Sequence, residues 1–206
     1  MNILEYYYKK VIKYDLINKF YYNNLKELPE LKKIILNFGC RTSEIKVLAT
    51  SVQALNLISQ KHHNSITTSK HTSIFLKIRK GQPIGCKIVL EKKDMYNFFL
   101  KLLTEIFPVL KDFKGIYLSK SNNVKNLSFT IKELITFKEL ETHFYLFSNV
   151  PPLNITLITN TKTKKELMFL LNSFKVPLIT KAIITQLVEC NLAKIKAKGS
   201  NPFYCF

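Results

Sequence analysis

Within residues 84–106 the apolar pattern changes period once, and that change restricts the fold more than any other feature of the chain. Ile84, Cys86, Ile88 and Leu90 recur at every second residue, which places them on one face of a strand. From Met95 onward the spacing is helical: Met95, Phe98, Phe99, Leu102, Leu103 and Ile106, with Pro108 expected to end the helix. A half-buried strand running straight into an amphipathic helix calls for a sheet covered by helices. The segment leading into the strand reads Lys77-Ile-Arg-Lys-Gly-Gln-Pro-Ile-Gly85. Pro83 fixes φ, and the two glycines let the backbone turn or approach a partner closely. Lys77, Arg79, Lys80 and Lys87 crowd this turn, with no acid before Glu91. A shaped backbone in a positive field suits a polyanion. An ordinary hairpin with a solvated basic face accounts for the same residues.

The other segments agree with this layering. Residues 4–20 carry Leu4, Tyr8, Val11, Ile12, Leu16 and Phe20 at helical spacing, until Asn23-Asn24 and Pro29 break the run. Residues 31–38 read as a strand closed by Gly39. Ser43 and Glu44 open a second helix with Leu48, Val52, Leu55 and Ile58 on its buried side. Residues 61–73 are polar and basic and lead into two strands around the Gly-Gln-Pro turn. Gly115 and residues 119–126 read as loop, and residues 127–132 and 153–159 as alternating strands. Thr163 and Glu166 have capping-box spacing before a last helix (Leu167, Leu170, Leu171, Phe174) stopped by Pro177. The predicted fold class is α+β: a mostly antiparallel sheet with helices packed on one face, a two-layer sandwich. The other face is left for a ligand.

The chain has 206 residues, enough for one domain with or without a tail, and 47% apolar content supports a core. Its net charge is +18, from 32 basic and 14 acidic residues. That field attracts RNA, DNA or anionic lipid. Only Arg41 and Arg79 are arginines, so the cations are almost all lysine, which binds phosphate as a point charge rather than bidentately. Lys or Asn interrupts every long apolar run, so a membrane-spanning segment is not expected. Cys40, Cys86, Cys190 and Cys205 form no close pair and read as reduced thiols. The N-terminus has neither the apolar core of a secretory signal nor the Arg and Ser of a transit peptide, so a protein working in an organelle was made there. His62, His63 and His71 with Cys40 or Cys86 are the only catalytic or metal candidates. No carboxylate stands at a spacing that would orient them, so no enzyme and no cofactor is expected.

Several segments in order resemble one family. They are Leu31-Lys-Lys-Ile-Ile-Leu-Asn-Phe-Gly39, the hairpin Phe75-Leu-Lys-Ile-Arg-Lys-Gly-Gln-Pro-Ile-Gly-Cys-Lys87 and the loop Lys111-Asp-Phe-Lys-Gly115. Ile131-Lys-Glu-Leu-Ile-Thr-Phe137, Asn154-Ile-Thr-Leu-Ile-Thr159 and residues 161–177 continue the series. Together they resemble the universal ribosomal protein five of the large subunit, the carrier of 5S ribosomal RNA. The resemblance covers residues 1–178, leaving 179–206 as an extension outside it. It implies a structural place in the central protuberance beside neighbouring ribosomal proteins. The implied RNA partners are 5S RNA where present, the large-subunit ribosomal RNA and, through the basic loop, the elbow of the P-site transfer RNA. Implied RNA contacts are Asn37, Gly39, Arg41, Gln60, Lys61, Lys70, His71, Lys77, Arg79, Lys80, Gly81, Gln82, Gly85, Lys87, Lys114 and Lys132. Residues 61–93 hold eight Lys/Arg against one acid, so binding should weaken steeply with salt.

The departures from the family are local. Its hairpin strand usually continues Lys-x-Thr-Leu-Arg; here it is Lys87-Ile-Val-Leu-Glu91. Its Ser-x-x-Gly-Phe before the hairpin is Thr72-Ser-Ile-Phe75-Leu76, and its Phe-Pro-Glu is Phe137-Lys-Glu139. Val89 and Glu91 imply a divergent, or even absent, 5S partner. The same charge and sheet also suit a non-ribosomal RNA-binding regulator or chaperone, and a membrane-surface protein is a third reading.

Lysine in place of arginine and the abundance of Asn, Ile, Tyr and Phe read as AT-rich coding, which favours a mitochondrial ribosome encoded in the organelle. A plastid-type organelle or a bacterial cytoplasm is the alternative. The tail supports a compact genome. Gln186-Leu-Val-Glu189, Asn191-Leu-Ala-Lys194 and Gly199-Ser-Asn-Pro202 can be encoded by sequences like the D arm, anticodon loop and T arm of a transfer RNA gene. An ordinary C-terminal extension, helical over residues 182–197, is the other reading. The overlap predicts that the DNA encoding residues 182–206 folds as a cloverleaf; sequencing the gene checks this, and a segment without paired arms would refute it.

Overall fold

The computed structural model describes residues 2–40, 44–60, 64–111, 113–118 and 125–179. Five strands form one antiparallel sheet in the order β2-β3-β1-β6-β5: β1 Leu31–Gly39, β2 Ser65–Thr68, β3 Pro83–Glu91, β5 Asn126–Ile131 and β6 Leu153–Thr159. β4 (Ile116–Tyr117) and β7 (Leu178–Ile179) make a separate parallel pair. Alternation sorts the sheet into two faces. Ile34, Leu36 and Phe38 of β1 stand in register with Leu90, Ile88 and Cys86 of β3 and with Leu157, Ile155 and Leu153 of β6, and all are buried. The helices cover this face, as the α+β reading expected. α1 spans residues 3–19, α2 is Ile45–Ser59, α3 spans 92–109, and α6 is Lys164–Ser173. The short α4 (Lys138–Glu141) and α5 (Phe144–Phe147) pack beside α2.

α1 buries Tyr8, Ile12 and Leu16, with Leu4 and Phe20 packed at its ends. A strict four-residue repeat drifts by about 40° per step around an ideal α-helix. A π turn over Tyr8–Ile12 widens the helix and offsets that drift. Val11, expected on the buried side, faces outward. A second π turn, Leu102–Ile106, explains why Pro108 does not end α3. The Phe107 N–H bonds to the Leu102 carbonyl five residues back, and the helix continues to Val109. In α6 the capping box is present: Thr163 Oγ1 accepts from the Glu166 N–H, and the Glu166 carboxylate accepts from the Thr163 N–H.

The hairpin partner of β3 is Ser65–Thr68, not the basic segment around residues 75–80. Residues 69–82 form a long loop whose only ladder-like contact is a Ser73–Ile78 bridge. Ile78 is the loop's one buried apolar side chain, because Ile74, Phe75 and Leu76 have no facing layer to cover them. Gly115, expected in a loop, leads into β4 with φ +114°, and a Cβ there would lie 2.9 Å from Ile179. Asn126, expected in the same loop, opens β5. Ser43 and the tail from residue 180 onward lie outside the described residues.

Gly85 fixes the approach of three strands. A Cβ there would stand 2.5 Å from the Phe38 carbonyl oxygen and 2.8 Å from Thr67 Oγ1. Gly85→Ala should therefore destabilise the fold by about 1–3 kcal/mol, read as an earlier urea midpoint with the denaturant slope retained.

Candidate nucleic-acid interface

The face of the sheet away from the helices carries one polar row flanked by mixed rows. One row crosses all five strands in register: Ser65, Lys87, Asn37, Asn154 and Thr130. Neighbouring rows are Val89, Ile35, Thr156 and Ser128, then Glu91, Lys33, Ile158 and Asn126. The side chains partly order one another. Thr130 Oγ1 donates to Asn154 Oδ1 at 2.7 Å, and the Ser128 and Thr156 hydroxyls are 3.0 Å apart. Asn37 is half-buried and Lys87 exposed, so the row is shallow and open. Its amides and hydroxyls both donate and accept, which suits base edges and ribose hydroxyls as well as phosphates.

Cations ring one end of this face. A concavity of about 710 Å³ lies beyond the ends of β1 and β6, lined by Gly39, Cys40, Thr130, Lys132, Asn149 and Asn154 among others. Lys111 joins Lys132 around a second concavity, and Lys114 lines a third beside Ser128 and Thr130. Gly39 is exposed, and nothing lies within 4 Å of where its Cβ would be, so this strand end is open to close approach. Gly85 differs, since the space a side chain would take there is filled by the Phe38 carbonyl and Thr67.

The loop after β2 carries a second group. Lys70, His71, Lys77, Arg79, Lys80 and Gly81 are all exposed. Gln82 braces the loop: its Oε1 accepts from the Arg79 N–H at 2.8 Å, while its carbonyl accepts from the Ser69 N–H. Gly81, with φ +86°, supplies the turn. Gln60 lies apart from both groups. It caps α2 in a left-handed conformation and shares a small groove with Asp94, Asn97 and Lys101 of α3. Arg41 and Lys61 lie outside the described residues, as do His62 and His63. Sequence reading missed Asn154, Thr130, Thr156, Ser128 and Ser65. For all but Ser65, which lies in the short β2, the signal was present in the alternation of β6 and β5, whose polar positions share the face that carries Asn37.

Two departures acquire a structural setting. Glu91 stands directly opposite Lys33 in the β1–β3 ladder, where cross-strand neighbours are close enough for opposite charges to offset. Lys138, which stands where the family has proline, places its Nζ 3.3 Å from the Glu105 carboxylate and so ties α4 to α3.

Comparison with known proteins places this geometry in a class. Residues 83–178 match the family model for the C-terminus of the ribosomal uL5 family. The chain is 37% identical to the large ribosomal subunit protein uL5m of Reclinomonas americana over 86% of this chain and 98% of the relative. It is 38% identical to uL5 of Wigglesworthia glossinidia brevipalpis over 83% of this chain and 96% of that protein. For uL5 of Malacoplasma penetrans the figures are 34%, 84% and 91%. The molecule is a structural, non-enzymatic protein of the large ribosomal subunit. Within that class, the chain belongs to the uL5 family.

The thiols fit a non-catalytic role. Burial, with a smaller contribution from nearby Cys40, pushes the Cys86 thiol from 9.0 up to about 12, so the nucleophilic thiolate is suppressed. Because the folded form holds this proton more tightly, its contribution to stability is complete below pH 9 and is lost as pH rises from 9 towards 12. Native protein at pH 8 should therefore leave Cys86 unmodified by iodoacetamide while denatured protein reacts; peptide mass mapping checks this.

Proposed function

We propose that the open sheet face and the basic loop are the two RNA-binding surfaces through which this protein is held in the central protuberance. The sheet face takes 5S RNA where present and the large-subunit ribosomal RNA. The loop over residues 69–82 reaches the elbow of the P-site transfer RNA. The carrying observation is the register itself: Lys87, Asn37, Asn154 and Thr130 form one polar line across the sheet. Gly39, Lys114 and Lys132 border that line, and Lys70, His71, Lys77, Arg79 and Lys80 supply the loop's field. Arg41 and Lys61 join the basic set, and Gln60 contributes from the helix layer. Neighbouring ribosomal proteins pack around this core. The same reading assigns the protein to a mitochondrial ribosome, made inside the organelle. It gives the RNA-binding domain to residues 1–178 and leaves 179–206 as an extension.

Sedimentation and binding test it together. The protein should remain with large subunits through a moderate salt wash, whereas a free regulator or chaperone would move to the top of the gradient. Asn37→Ala should weaken binding to the cognate ribosomal RNA about 5- to 10-fold, consistent with loss of one hydrogen bond to a charged or polar partner. Lys87→Ala should lower the magnitude of the salt slope by about one. Glu91→Arg should tighten binding to the organism's own 5S RNA; equal affinity would remove the altered-contact idea, and unchanged binding in the Asn37 and Lys87 variants would remove the sheet face.

A further inference from the structure

The basic loop ends in an apolar tip that the polar sheet face does not account for. Phe75 is fully exposed, Ile74 is 88% exposed and Leu76 is half exposed. These three residues are held in a small hairpin. Ser73 and Ile78 exchange both backbone hydrogen bonds, at 2.9 and 3.0 Å. The Lys77 N–H closes the turn onto the Ile74 carbonyl at 3.1 Å, and Lys77 itself is left-handed with φ 51°. Ile78, buried to 5% exposure, anchors the base of the hairpin in the protein. The Lys80 N–H adds a bond to Thr72 Oγ1. The tip is thus presented by backbone geometry, and little ordering entropy is left to lose on contact.

Exposed aromatic surface on a braced turn calls for an occupant, and the charge around it selects one. Lys70, Lys77, Arg79 and Lys80 flank the tip, and no acid lies in residues 61–90. An acidic protein partner would meet these cations, but only nucleic acid offers both a phosphate array for them and flat apolar faces for Phe75. Apolar wedges set among basic residues insert against bases that are not fully stacked. We propose that Ile74, Phe75 and Leu76 form an apolar wedge that stacks on an unpaired base of folded RNA, while the flanking cations hold the adjoining phosphates. The proposal rests on the RNA-binding reading above and names the chemistry of its loop. It separates two components of binding: a cationic one that fades with salt and a stacking one that does not.

The chain contains no tryptophan, so Phe75→Trp introduces a single reporter. The full-length variant is titrated with two transcripts of equal length, a hairpin with an unpaired loop and a fully paired duplex. Tyr145→Trp, in α5, serves as the control position. The expected result is strong quenching of the residue-75 emission by the hairpin, weak quenching by the duplex, and little change at residue 145. Phe75→Ala should weaken hairpin binding about 5- to 150-fold, the range for one stacked base, with the slope of log K against log salt unchanged. Phe75→Trp should retain wild-type affinity. Thermal melting of each variant at the wild-type temperature confirms that the core is intact. Hairpin binding by Phe75→Ala at wild-type strength, or unquenched emission from residue 75 in a saturated hairpin complex, overturns the wedge while leaving the RNA-binding reading in place. Failure of the wild-type chain to bind either transcript or ribosomal RNA overturns both.

Discussion

The pairing of β1 on both of its edges is the constraint from which the rest follows. β1 exchanges antiparallel ladders with β3 and with β6, so its register is fixed twice. Because the side-chain period is two, a one-residue slip in either ladder would bring Asn37 into the core and Phe38 to the surface. The buried row Phe38, Cys86 and Leu153 and the open row Asn37, Lys87 and Asn154 are therefore two consequences of one alignment. The bulge near Lys32 leaves the alignment intact from Lys33 onward, where the polar row lies. Gly85 protects the same alignment from the other side, since only a residue without a Cβ lets β2 and β3 close against Phe38.

That alignment also decides how charge is distributed. The centre of the open face carries amides and hydroxyls, not a carpet of lysines. Cations stand at its rim and in the loop. Lysines packed side by side at strand spacing would repel one another in the free protein, whereas neutral donors and acceptors cost little to hold together. On the proposed reading, the rim attracts the polyanion and the centre discriminates its shape. Glu91 fits this division. Its cross-strand neighbour is Lys33, so the charge reversal reshapes the field at one end of the face and leaves the Lys87–Asn37 row untouched.

Period-two and helical patterns were legible wherever an element was long and one-sided. β3, β6 and the stripe from Met95 to Ile106 lie where the alternation placed them, and the Thr163–Glu166 capping box formed as its spacing implied. What the sequence hid were features that depend on partners distant in the chain. The π turns respond to the surface each helix must follow, so Pro108 lies inside a helix that local rules would end. Residues 75–79 alternate convincingly enough to resemble a strand, yet the edge of β3 pairs with Ser65–Thr68, and the alternating segment is loop. Asn37 and Lys87 stand out as candidate site residues through family motifs. Asn154 opens a family-like segment without standing out within it, and Thr130 carries no motif; register places both in line with Asn37.

The displaced strand has a functional corollary. Had residues 75–79 paired with β3, Phe75 would have been fixed within the sheet's edge and the lysines around it spread along a ladder. Pairing through Ser65–Thr68 instead frees fourteen residues to project from the sheet, braced at Gln82, at Ile78 and at the Ser73 bridge. A loop of that length without regular structure is rarely maintained in a compact domain unless it contacts something. Its internal hydrogen bonds make it a preformed arm, and its composition separates a cationic stem from an apolar end. On the proposed reading, the sheet docks on one body of folded RNA while the arm reaches a second surface.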